Sequence, residues 1–213
     1  MNILDLRQPE EQEPTEPVEP TGYNQIAPRH GFKEYFFEIV KIIIFSLAII
    51  VPVRMFVVQP FIVEGDSMLP NFHDGEYLIV DEISYRFTAP VRGEVVIFHP
   101  PLSPKTYYIK RIMGLPNETV ELKDGNIYIY NAQFPQGQLV DESAYLTNDK
   151  VNETSRVELK DGQYFVMGDN RNNSLDSRRI GPITMKNIKG RALIRAFPFN
   201  KFTLFKAPQN ILP

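Results

Sequence analysis

Ser67, in GDSMLP from Gly65 to Pro70, and Lys110, in YYIKRIMGLP from Tyr107 to Pro116, are two residues whose types could do chemistry together. A serine hydroxyl is a weak nucleophile unless a base beside it takes its proton, and a lysine serves as that base only when neutral. An ordinary lysine, with a pKa of about 10.4, is neutral in about one molecule in 2,500 at pH 7. Lowering that pKa by about 3 requires roughly 4 kcal/mol of preferential desolvation. Tyr107, Tyr108, Ile109, Ile112 and Met113 surround Lys110 in the sequence and could supply it, while Arg111 falls on the opposite face of the alternating strand. A third segment, GDNRNNSLDSR from Gly168 to Arg178, is dense in polar groups directly after the apolar run YFVM. Alone, each segment has an ordinary reading: a turn-capping serine, a solvent-facing lysine and an Asn-rich loop.

Other chemistries find little support. There are no cysteines, which excludes thiol nucleophiles, disulfides and thiolate zinc sites. His30, His73 and His99 are scattered without metal-ligand spacing, so neither metal nor cofactor is expected. A Ser-His-Asp triad is disfavoured: His73 sits in the turn NFHDGE too close to the serine along the chain, and His99 precedes two prolines at a strand end. A net charge of -3 without a clustered basic face argues against nucleic acid as a partner.

The elements that must position Ser67 and Lys110 can be read in turn. At 213 residues the chain holds one ordinary core plus appendages. Residues 1–34, rich in Glu, Pro and Gln, form an expected disordered cytoplasmic tail. Residues 35–58 turn apolar over roughly the 20 residues that cross a bilayer, and are expected to be one transmembrane helix. Arg29, Lys33 and Lys41 lie on the N-terminal side of that stretch against Arg54 alone near its other end, which places the tail inside and residues 59–213 outside the cytoplasm. EYLIVDEI, GEVVIFHP, TYYIKRIM, ETVELKDGNIYIY and QYFVMGD read as short strands separated by Gly, Pro and Asp-Gly turns. The fold class expected is mainly β: an antiparallel, barrel-like catalytic domain, with a smaller β insertion at about 116–160 where the composition turns polar.

GDSMLP, RGEVVIFHP from Arg92 to Pro100, YIKRIMGLP and GDNRNNSLDSR occur in an order that resembles the bacterial type I signal peptidases, from about Gln59 to Phe199. The resemblance implies Ser67 as nucleophile and Lys110 as general base, without a cofactor. Asp169, Ser174, Asp176 and Arg178 match positions that support the lysine and hold the active-site loop. Phe61, Val63, Met68, Phe72, Tyr108 and Ile109 match the substrate-binding region, where shallow pockets take small side chains at the -1 and -3 sites. One departure concerns the oxyanion: some members carry a serine two residues before the nucleophile, where this chain has Gly65, leaving the Ser67 N–H and a second, unidentified donor. The implied function is removal of signal peptides from exported preproteins at a bacterial cytoplasmic or other energy-transducing membrane. Preproteins, the lipid bilayer and the translocation machinery are the partners implied. The alternatives are a membrane-tethered β domain that only binds or scaffolds, and a self-cleaving Ser-Lys protease.

Overall fold

The computed structural model describes residues 32–56, 58–146, 153–208 and 211–212. The expected tail up to residue 31 lies outside them. Helix α1 spans Phe32–Phe56, three residues ahead of the apolar stretch expected to be helical. Ile42, Ile43, Ile44 and Phe45 point in four directions around it, and all are more than half exposed. Among the described residues, no helix is long and apolar enough to cross a membrane. Lys33, Glu38 and Lys41 interrupt the described part of α1, and the stretch expected to span the bilayer is met as a helix.

From Val58 onward the chain is mostly strand. The strands are β1 (Val58–Ile62), β2 (Tyr77–Asp81), β3 (Val95–Phe98), β4 (Tyr108–Gly114), β5 (Thr119–Lys123) and β6 (Asn126–Tyr130). They continue with β7 (Gln138–Leu139), β8 (Ser155–Glu158), β9 (Gln163–Met167), β10 (Ile183–Thr184), β11 (Ile188–Phe197) and β12 (Thr203–Leu204), with a short helix α2 (Ser177–Ile180). An eight-stranded sheet runs β1-β2-β11-β3-β4-β9-β10 with β12 on β11, and a four-stranded sheet runs β7-β6-β5-β8. Every pairing is antiparallel, in keeping with the mainly β expectation. Register shifts of β11 against β2 and β3, and of β4 against β9, bend the large sheet.

The small sheet is built on strict alternation. Val120 and Leu122 of β5 and Ile127 and Ile129 of β6 are buried, while the residues between them are half-buried or exposed. The Asp124–Gly125 pair joins β5 to β6 with both residues at positive φ, as a two-residue hairpin turn of that composition requires. The buried face packs with Met113 of β4 and Phe165 and Met167 of β9, so residues the sequence marked as a polar insertion carry an apolar core of their own.

β11 was not among the expected strands. Its sequence, IKGRALIRAF, sets Lys189, Arg191 and Arg195 among apolar residues, and the charges disguise the pattern. Neighbouring segments neutralise them: Arg191 meets Asp81 of β2 at 3.1 Å and Glu94 at 2.8 Å, and Arg195 meets Glu76 at 2.7 Å. With those charges paired, the longest strand sits between β2 and β3 in the middle of the sheet.

Candidate active site

Ser67 stands on a tight turn between β1 and β2. Two backbone bonds of Val63 close the base of this excursion: Val63 N–H donates to Glu76 O at 2.9 Å, and Gly75 N–H donates to Val63 O at 2.9 Å. Met68 and Phe72, each 1% exposed, pin the turn into the core with Val63, Leu78 and Val95. Gly65 lies at φ +82, a left-handed conformation that a serine would adopt only under strain. Its N–H donates to Asp74 Oδ1 at 2.8 Å and is therefore already engaged. The Ser67 N–H has no acceptor among the described residues.

Lys110 comes from the middle of β4, paired with Val96 of β3, and is 4% exposed. Its Nζ lies 2.6 Å from Ser67 Oγ and 2.8 Å from Ile109 O. No carboxylate forms an ion pair with it among the described residues. Burial pulls its pKa down to about 8 from the ordinary 10.5, while the charges of Asp176 and Asp169 oppose that shift. At pH 7 a lysine with such a pKa is neutral in about one molecule in ten, against one in thousands for an ordinary lysine. In the neutral form the Ser67 hydroxyl donates to Nζ across the same 2.6 Å, the arrangement a nucleophile and its base require.

The next residue along β4 does the opposite. Arg111, 5% exposed, donates from Nε to Asp169 Oδ1 at 2.8 Å and from Nη2 to Asp169 Oδ2 at 2.6 Å, and its Nη1 donates to Gly93 O. Asn71 Nδ2 adds a bond to Asp169 Oδ2 at 2.8 Å and another to Tyr145 O at 2.8 Å. Asp176 is fully buried. Burial would raise its pKa, yet the carboxyl is held below its usual range by Arg178, by the Gly168 N–H and by the Arg178 charge. Ser174 Oγ is buried, and its hydroxyl is a further, smaller cause that keeps the Asp176 carboxyl low. Gly168 sits where a Cβ would lie 2.4 Å from Ser67 O and 2.2 Å from Ser174 Oγ, so only glycine fits against the turn that carries Ser67.

A cleft of about 520 Å³ opens beside the Ser67-Lys110 pair. Of the expected substrate-binding residues, Phe61, Val63, Tyr108 and Ile109 line it. Met68 and Phe72 do not: both are core residues, and the Phe72 ring packs on Phe205 at 4.7 Å. Their apolar character serves the support of the turn, which a sequence motif does not distinguish from a pocket wall. Tyr107 also lines the cleft, edge-on to Phe61 at 5.0 Å. Neither His73 nor His99 does; His73 Nδ1 lies 3.4 Å from Glu76 and His99 Nδ1 2.9 Å from Thr106 O. The sequence reading passed over Asn71, which links the Ser67 turn to Asp169, and Asn170, which lies inside the GDNRNNSLDSR motif and touches the turn directly.

The sequence profile of the family "Signal peptidase, peptidase S26" matches residues 36–197. A probable signal peptidase I-1 from Synechocystis is 38% identical over 78% of this chain and 84% of its own length. A signal peptidase I from Bacillus amyloliquefaciens is 38% identical over 75% of this chain and 84% of its own, and signal peptidase I T from Bacillus subtilis is 37% identical over 76% and 85%. A crystal structure of a signal peptidase I from Enterococcus faecalis V583 aligns with 49% of this chain and 97% of that one, at 28% identity and a TM-score of 0.40. With three quarters of the chain matched at this level, and a buried lysine against a serine hydroxyl in the matched segment, the protein belongs to the signal peptidase family, peptidase S26.

Proposed function

We propose that this protein removes signal peptides from exported preproteins through a Ser67-Lys110 dyad. The observation that carries the reading is the 2.6 Å contact between Ser67 Oγ and the Nζ of a lysine whose pKa burial lowers to about 8. Neutral Lys110 takes the hydroxyl proton as Ser67 Oγ attacks the carbonyl carbon of the scissile bond. The resulting ammonium returns a proton to the leaving amine, giving an acyl-enzyme. A water that yields its proton to Lys110 then releases the signal peptide. Asp169, Ser174, Asp176 and Arg178 hold the loop against which the pair rests, and the Ser67 N–H is one donor to the oxyanion.

The substrate lies extended in the cleft, adding backbone hydrogen bonds along a strand edge. The walls formed by Phe61, Val63, Tyr108 and Ile109 leave shallow depressions that suit Ala, Gly or Ser at -1 and -3. Membrane tethering through α1 is supported by the run Phe36 to Val58 and by apolar side chains exposed on every side of α1, which water alone does not favour. In this reading residues 1–34 are cytoplasmic, residues 35–58 are the anchor, and residues 59–213 work outside the cytoplasm beside the translocation machinery. Mass spectrometry of a preprotein incubated with the detergent-solubilised chain tests the function. A single cut after a small residue is expected; no cut, or equal cutting after Leu or Phe at -1, contradicts it. Protease added outside spheroplasts should digest the β domain and spare a tag at Met1.

A further inference from the structure

Asn170 holds the turn of Ser67 at two successive peptide units. Its side-chain Nδ2 donates to Asp66 O at 3.1 Å, and its backbone N–H donates to Ser67 O at 3.0 Å. In a planar trans peptide the C=O and N–H point in opposite directions, so fixing the Asp66 carbonyl also fixes the Ser67 N–H, which belongs to the same unit. That N–H is turned away from Asn170 and has no acceptor among the described residues.

We infer that Asn170 is a positioning residue for the oxyanion donor: by holding the Asp66 carbonyl it aims the Ser67 N–H at the oxygen of the scissile carbonyl. This rests on the reading of Ser67 as the nucleophile. Asp66 O also accepts the Leu69 N–H at 3.2 Å, but that bond lies within the turn and fixes its internal shape. Asn170 anchors the turn from outside, from the loop after β9, two residues beyond the Gly168 that abuts Ser67 O. The same loop carries Asp169, which is clamped to Arg111 beside Lys110, so the donor and the base are referred to one frame. With Gly65 unable to offer a hydroxyl and its N–H committed to Asp74, the direction of the Ser67 N–H carries more of the oxyanion stabilisation.

Asn170→Asp keeps the Oδ1 acceptor for the Asn173 N–H, 3.2 Å away, and puts a charged oxygen in place of the donor to Asp66 O. Asn170→Ala, which removes the side-chain bonds altogether, is the second variant, and circular dichroism of both checks the fold. Misaiming a donor is expected to lower kcat by about tenfold to a hundredfold with KM unchanged. A peptide aldehyde ending in alanine, which adds to Ser67 as a tetrahedral mimic, should lose affinity by the same factor. In Asn170→Ala, which adds no charge, the ascending pH limb set by Lys110 should stay where it is. Normal kcat in both folded variants, a loss carried by KM, an unaltered aldehyde affinity or a displaced pH limb in Asn170→Ala overturns the inference. Ser67→Ala, run alongside, separates the two readings: if it retains turnover the nucleophile assignment falls, and if it is dead while both Asn170 variants work, only the role of Asn170 falls.

Discussion

The two sheets of this protein treat charge in opposite ways. In the four-stranded sheet, β5 and β6 bury only Val120, Leu122, Ile127 and Ile129 and keep every polar side chain at or near the surface. In the eight-stranded sheet, β4 buries Lys110 and Arg111 side by side. The small sheet follows the rule that a strand stabilises by hiding its apolar face. The large one breaks the rule at the proposed dyad, and the two cations break it differently. Arg111 has a fully satisfied carboxylate partner in Asp169, and Lys110 has only a hydroxyl and a carbonyl. An arginine so paired stays charged and structural; a lysine so deprived gives up its proton more readily than an ordinary one.

The largest effect expected from this contrast is at Lys110. Lys110→Met should abolish turnover and yet stabilise the fold. A lysine with a folded pKa of about 8 and an unfolded value of 10.5 binds fewer protons when folded between those pH values. Stability therefore rises with pH through that window, and the penalty for charging the buried amine is fully present below about pH 8. Denaturant melts at pH 7 should show Lys110→Met more stable by up to about 3 kcal/mol, with the gain shrinking between pH 8 and 10.5. Ile129→Ala, in the other sheet, should do the reverse, losing about 2–5 kcal/mol without changing the pH dependence of cleavage. If both substitutions destabilise equally, the contrast between the sheets is wrong.

Arg111→Met comes next. It leaves the fully buried Asp169 without its cation, which costs about 3–5 kcal/mol when a buried pair is broken on one side. A thermal melt reads it directly. Gly168→Ala is a smaller and more local perturbation: its Cβ must displace Ser67 O, so kcat should fall about a hundredfold, with secondary structure by circular dichroism unchanged. The smallest effect belongs to the exposed rim of the small sheet. Arg156→Ala removes a 3.5 Å pair with Glu121 from a side chain that is 56% exposed, and the melting temperature should not move measurably.

The sequence was most legible where local pattern and function coincide. The strands YLIVD, VVIF and QYFVM and the Asp-Gly hairpin rest on short-range signals, alternation and turn chemistry, whereas the pairing of Ser67 with Lys110 was implied only by the family resemblance of the ordered motifs. β11 was hidden because its arginines become acceptable in mid-sheet only when Asp81, Glu76 and Glu94 arrive from distant segments. Met68 and Phe72 read as pocket walls because a motif records that a position is apolar, and packing decides which way it faces. Asn71 and Asn170 were obscured for the related reason that a polar residue in a loop acquires meaning only from what lies across the fold.

The central claim, that a buried lysine, active in its neutral form, activates Ser67, is tested most directly by the pH dependence of kcat/KM for cleavage of a preprotein whose own groups do not titrate between pH 6 and 10. The rate constant should rise with pH along a single limb centred near 8, the value that burial gives Lys110, and level off above it. A flat profile across that range, or a limb near 6.5 that vanishes in His73→Ala or His99→Ala, would contradict the account.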